Sequence, residues 1–180
     1  MLELHEDEKI LYEARKHWFV ISKAGTFVGV LMLAPIILVI LLFSFFPELL
    51  AIFSEPKFIA ASSFFAASWL VILWVIFFVA WTDYYLDVLI ITDRRLIDVE
   101  QIGLFRRDIA SMPLSNIQDI TVEVAGVTRT LLKFGDIQVQ TAGQTKELLV
   151  HDVANPEEVK QLIMSAYSAD KARMYPGLKP

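Results

Sequence analysis

Two stretches of this chain, residues 24–46 and 58–81, contain no Asp, Glu, Lys, Arg or His. Each is longer than the ~20 residues that a helix needs to cross a hydrocarbon core of ~30 Å. Together they hold 39 apolar residues in 47 positions. Leu, Ile, Val and Phe number 15 in the first and 13 in the second. At roughly 0.3–0.6 kcal/mol favourable for each near the bilayer centre, both are expected to insert without a partner. A buried helix of a soluble core fits such runs poorly. A cleaved signal peptide fits no better: the first run is too long, follows five acidic residues, and precedes no small-x-small cleavage site. The expectation is an uncleaved two-pass anchor.

Topology follows from Lys and Arg. Lys9, Arg15, Lys16 and Lys23 precede the first run, Lys57 stands alone in 47–57, and eleven Lys and Arg follow residue 81. The positive-inside rule then puts both termini in the cytoplasm and 47–57 outside, in a multi-pass protein of the cell (cytoplasmic) membrane. Trp18, Trp81, Tyr84 and Tyr85 suit the aromatic belts. Pro35 should kink the first helix and free a carbonyl, which a neighbouring helix can tolerate. The polar residues Thr26, Ser44, Ser62, Ser63 and Ser68 can return hydrogen bonds to their own helices. With no ionisable group inside, neither run marks a transport path. Gly25-x-x-x-Gly29 and the series Ala60, Ser63, Ala67 allow close helix approach, and packing within the hairpin is favoured over a dimer seam.

The remaining domain, 82–180, holds 45 apolar residues in 99, enough for one ordinary core. The 56% apolar content of the whole chain is therefore an average over an anchor and a domain. Zero cysteines exclude disulfides, thiolate metal sites and cysteine nucleophiles. Along this domain the hydrophobic period is two. Strands are expected over 84–91, 95–102, 105–110, 117–124, 136–141 and 146–150, with Gly103 in one turn and Ala142-Gly143-Gln144 in another. In 117–124, Gln118, Ile120, Val122 and Val124 alternate with Ile117, Asp119, Thr121 and Glu123. Gly135-Asp136 reads as turn chemistry. Asn155, Pro156 and Glu158 read as the N-cap, first residue and capping-box partner of a helix. Its apolar stripe is Val159, Leu162, Ile163 and Ala166, and a loosely held tail is expected after Ala169. The N-terminal segment 1–23 is cytoplasmic in this scheme. Its residues 8–20 fit either period, with Ile10, Tyr12 and Ala14 favouring a strand that joins the sheet. The fold class is an α+β membrane protein: a two-helix transmembrane hairpin plus a small antiparallel β-barrel or sandwich capped by a C-terminal helix.

A set of motifs in order carries a resemblance. They are Ile91-Thr92-Asp93-Arg94-Arg95-Leu96-Ile97 and Gly103-Leu104-Phe105-Arg106-Arg107, then the run Met112-Pro113-Leu114-Ser115-Asn116-Ile117-Gln118-Asp119-Ile120. Phe134-Gly135-Asp136-Ile137, Thr141-Ala142-Gly143 and Asn155-Pro156-Glu157 follow. The chain thereby resembles the bacterial pleckstrin-homology (PH) membrane proteins of YdbS-like type over most of its length. That resemblance implies a PH-like fold, two curved antiparallel sheets closed at one corner by the last helix. It implies no catalytic activity and no cofactor.

No catalytic constellation emerges from the residues themselves. His5, His17 and His151 are dispersed and lack the spacing of metal ligands. No Gly-rich phosphate loop is present, and no serine sits in a strand-turn-helix elbow. Glu157-Glu158 suits the positive end of a helix dipole. Basic residues are the one candidate site: Arg94, Arg95, Arg106, Arg107, Arg129 and Lys133. In a PH-like barrel several would face anionic lipid headgroups, at about 1 kcal/mol per cation near the surface. Against this, Asp93, Asp98, Asp108 and Asp136 are near enough in sequence to neutralise them, and Arg106 and Arg107 point to opposite faces of a regular strand. Nucleic acid is not expected, since the domain is net acidic. The favoured reading is a non-enzymatic membrane-tethered module for protein partners or self-association, with anionic headgroups as a lesser ligand. A scaffold subunit of a transporter or membrane-enzyme complex is the alternative, and lipid transfer or chemistry on lipids a third possibility.

Overall fold

The computed structural model describes residues 8–141 and 147–174, so the turn expected at Ala142-Gly143-Gln144 lies outside the described residues. The chain divides into two compact units, one running from Ile21 to Thr82, the other combining the chain up to Val20 with everything from Asp83 onward.

The first unit is a helical hairpin. It comprises α1 (Phe19–Phe45), a short α2 (Leu49–Phe53) and α3 (Pro56–Leu86). Both long helices are long and apolar enough to cross a membrane. No residue of α1 is buried within the protein, and Leu73 alone is buried in α3. Pro35 lies inside α1. Lacking an N–H, it leaves the carbonyl four residues earlier, that of Leu31, without its helical donor. The indole N–H of Trp69 on α3 donates to that carbonyl at 3.2 Å. Ser44, Ser62, Ser68 and Thr82 donate their hydroxyls to carbonyls three or four residues back in their own helices. A side chain at Gly25 would meet the Phe77 ring at 3.7 Å, whereas Gly29 faces nothing within 4 Å. A small side chain at Gly25 would therefore make only an ordinary contact, and neither glycine marks a close helix approach inside the hairpin.

Among the described residues the second unit carries seven strands. One antiparallel sheet has the order β1-β2-β3-β4, built from Ile10–Arg15, Val88–Thr92, Arg95–Ile102 and Arg106–Pro113. The other has the order β5-β6-β7, from Ile117–Glu123, Phe134–Thr141 and Leu148–Ala154. An isolated antiparallel bridge, Lys16 to Val153, links the two sheets along one side. A 3-10 turn, Leu114–Asn116, carries the chain from β4 to β5. Their inner faces share one core that includes Ile91, Leu96, Leu114, Ile137 and Val139. After α4 (Val127–Leu132), the last helix, α5 (Pro156–Met174), lays Val159, Ile163 and Ala166 on that core.

Several elements differ from the sequence reading, each for a local reason. Residues 84–86 belong to α3, with Asp87 N–H still donating to the Asp83 carbonyl at 3.2 Å. Helical hydrogen bonding carried on from a long preceding helix outweighs the β-propensity of two tyrosines. The six-residue α4 stands where no element was expected; Gly126, with φ of 98°, opens it. β4 starts at Arg106 and leaves Phe105 in the turn, while β7 runs to Ala154. Gly135 and Asp136 lie within β6, beside a register shift. In β5, a shift between Ile117 and Asp119 turns both Ile117 and Ile120 inward, overriding strict alternation. α5 continues past Ala169 to Met174, with Lys171 and Arg173 complementing its C-terminal dipole. Leu162 is exposed, and Asp170 extends the buried stripe instead. Asn155 adopts a left-handed conformation, φ 47°, unlike the extended backbone of a standard N-cap. Its carbonyl accepts from Glu158 and Val159 at 3.0 and 3.2 Å.

Candidate functional site

The six basic residues singled out by sequence do not come together as one patch. Arg94 and Arg95 sit at the β2–β3 turn, where Thr92 organises the chain by accepting the backbone N–H groups of Arg94 and Arg95 at 3.2 and 2.9 Å. The Arg95 guanidinium donates through Nε and Nη2 to the two oxygens of Glu8, both at 2.8 Å. This bidentate pairing raises the Arg95 pKa further, against the opposing effect of burial. Asp93 accepts from the Lys9 backbone N–H at 3.0 Å and pairs with Arg173 at 3.1 Å. The backbone bond leads in holding its carboxyl below the usual range, with Arg173 assisting.

Arg106 and Arg107 begin β4 on the far side of a different turn. Arg106 pairs with Asp108 on the same exposed face at 3.0 Å. Arg107 stands opposite Gln101 of β3. Arg129 projects from α4 and bridges Asp136 and Asp152 at 3.0 and 2.9 Å, with its guanidinium carbon 5.8 Å from the centre of the Phe134 ring. Burial works against the Asp136 carboxylate. The Asp152 backbone N–H and Arg129 outweigh it and hold the pKa below its ordinary value. Lys133 closes α4 in a left-handed conformation, φ 56°. Arg94, Arg107 and Lys133 make no ion pair among the described residues. Arg95, Arg106 and Arg129 are committed to acids of their own chain.

The Phe134-Gly135-Asp136-Ile137 motif is accounted for at the same corner. Phe134 is buried, stacked on His17 with centroids 4.9 Å apart. Burial lowers the pKa of that histidine, opposed by Asp152. A side chain at Gly135 would lie 2.5 Å from the Glu123 carbonyl oxygen, so two strands approach there more closely than any other residue permits. These residues hold the domain together.

A polar cleft that sequence reasoning missed opens where β1 meets β7. Lys16, Asp87, Asp98, Glu100 and His151 line it, with Ala14 and Leu89 behind. Lys16 is ion-paired with Asp87, whose other oxygen accepts the Gln101 backbone N–H. Asp98 has its pKa pushed up to about 6, first by burial, then by Glu100 and Asp87, with Lys16 and His151 opposing. The available signal was Asp98 itself, an acid between the buried Ile97 and Val99. Chemically the cleft can exchange a proton near neutrality. No group of three or more His, Asp or Glu among the described residues is placed to hold a metal ion.

The family model described as Bacterial PH domain matches residues 19–167. No curated protein matches the chain. Two solved structures share similarity with part of it. One is a DUF1696 family protein with a pleckstrin-homology domain from Shewanella loihica PV-4: 20% identity, TM-score 0.37, covering 45% of this chain and 70% of that one. The other is a pleckstrin homology domain from Shewanella amazonensis SB2B: 21% identity, TM-score 0.38, covering 45% of this chain and 66% of that one.

Proposed function

The chain belongs to the Bacterial PH domain family, and from that membership we propose a non-enzymatic, membrane-anchored binding module. Its hairpin crosses the cell membrane twice, with both termini in the cytoplasm and 47–57 outside. The PH-like domain holds out one sheet edge to an extended segment of a protein partner, a second copy of the chain being one such partner.

The edge strand β4 is the observation that carries this reading. It ends the first sheet, and of its eight residues only Met112 is buried. An edge presents unpaired N–H and C=O groups to any chain that lies beside it. Charge at Arg106-Arg107-Asp108 and a proline at Pro113 guard its two ends, as edges are commonly guarded. The centre, Ile109-Ala110-Ser111, carries neither device. The basic residues support a lipid-headgroup role less well, because three of the six are already paired internally.

Photo-crosslinking in native membranes tests the reading, with the crosslinker at Ala110 in β4 and, as control, at exposed Leu131 in α4. A discrete adduct formed from Ala110 and absent from Leu131 supports edge pairing, and its mass separates a second copy from another protein. Identical patterns from the two positions, or none, would remove the edge as the binding surface.

A further inference from the structure

The most exposed large apolar side chain among the described residues belongs to the domain and not to the hairpin: Phe105 is 98% exposed. It sits in the three-residue turn Gly103-Leu104-Phe105 between β3 and β4, made possible by Gly103 at φ 67°. Ile102 and Leu104 beside it are also exposed, at 43% and 40%. An isolated surface leucine needs no explanation, but an aromatic ring standing at a hairpin tip among other apolar residues does.

Strand direction says where this tip lies. In an antiparallel meander the β1–β2 and β3–β4 connections fall at the same end of the sheet. Here the β1–β2 connection is the apolar hairpin itself, entered after Arg15 and left before Val88, which are paired neighbours. Val88 pairs with Val99, and Val99 with Ile109. β3 then runs three residues further, so its tip projects about 10 Å beyond that row at 3.3 Å per residue. The tip is also tied to the chain just after the second apolar run. The Gln101 backbone N–H donates to the Asp87 carboxylate. Gln101 closes the turn by donating its side-chain amide to the Gly103 carbonyl at 2.8 Å.

We propose that the β3–β4 tip is a membrane-interface wedge: Phe105, flanked by Leu104 and Ile102, inserts into the headgroup–acyl boundary of the bilayer that the hairpin crosses. Apolar burial drives the insertion. Arg106 is already paired with Asp108 and Lys16 with Asp87, and Glu100 lies in β3 just before the tip, so the site offers no net positive field to anionic lipid. Arg107 lies along the wedge with its stem in the apolar layer and its guanidinium at the headgroups. Insertion of the tip gives the domain an apolar foothold of its own on the bilayer.

This proposal rests on the hairpin's being a membrane anchor, and a cysteine-free chain lets one experiment separate the two. Phe105→Cys, Arg94→Cys (the opposite end of the same sheet) and Leu38→Cys (within α1) are each labelled with an environment-sensitive fluorophore. The full chain is reconstituted in phosphatidylcholine vesicles, with or without phosphatidylglycerol. Lipid-borne nitroxide is expected to quench the labels at 105 and 38 several-fold more than the label at 94, and aqueous iodide is expected to do the reverse. The same result is expected in both lipid mixtures. If the label at 38 is lipid-quenched and the label at 105 is as aqueous as the one at 94, the wedge is wrong and the anchor stands. If the label at 38 is aqueous, both fail. Quenching at 105 only with phosphatidylglycerol would replace the apolar wedge by headgroup recognition. Protection of 105 from iodide without lipid quenching would overturn it in favour of a protein contact.

Discussion

At the scale of single residues, charged side chains of the domain bear on stability in opposite ways, through pairing at Arg129 and through protonation at Asp98. Its folded-state pKa is raised to about 6 by burial, so the folded protein binds this proton more tightly than the unfolded chain does. That contribution is complete below the ordinary carboxylate range and is lost as pH rises through about 6. Asp98→Asn, neutral throughout, is therefore expected to stabilise the protein at pH 8 by on the order of 2 kcal/mol and to leave it unchanged near pH 4. Thermal unfolding in detergent at the two pH values reads this directly. Arg129 makes the opposite case. Its removal strands Asp136 and Asp152, both largely shielded from water, and Arg129→Ala is expected to cost about 2 kcal/mol. Arg107→Ala, which breaks no pair, is expected to fall within ~0.5 kcal/mol of the parent. Equal losses in the same unfolding assay would refute that division.

At the scale of elements, the long apolar runs and the period-two strands were legible because burial imposes a repeat on the sequence. The C-terminal helix was legible through Pro156 and its apolar stripe, though the stripe passes through Asp170 and omits Leu162. Less legible were features set by contacts distant in sequence. Gly135 looked like a turn glycine because nothing local reveals that the Glu123 carbonyl crowds its α-carbon. α4 is six residues long and has no buried side chain, so it leaves no amphipathic signature. Of the basic set, the six positions were readable but their partners were not, since Glu8 lies 87 residues from Arg95. Pro35 shows sequence and structure meeting: the residue announces a freed carbonyl, and only the fold names Trp69 as the donor that satisfies it. Trp69→Phe is accordingly expected to destabilise the hairpin by about 1 kcal/mol. In a Pro35→Ala background, where the restored backbone N–H can reclaim the Leu31 carbonyl, the cost should largely vanish. A double-mutant cycle in detergent micelles measures the difference, and additive effects would contradict the pairing.

For the whole molecule, the apolar hairpin is an insertion within a sheet and not a leader preceding a domain. Residues 21–82 form a unit of their own, while β1 and β2 pair across the insertion from Arg15–Val88 to Ile10–Thr92. Replacing 21–82 by a short Gly-Asn linker is therefore expected to leave a domain that folds cooperatively in water, checked by a single thermal transition and a β-rich circular dichroism spectrum. Aggregation with no such transition would show that the domain needs the hairpin for more than connection. The inserted arrangement also sets an order of events during synthesis. β1 is made first but finds its partner only after seventy-three further residues, from Arg15 to Val88, have left the ribosome. Closing so long a loop from a free coil is slow. Two helices already folded back on each other return the chain close to where it departed, so the hairpin serves as the template that brings the first strand to its place.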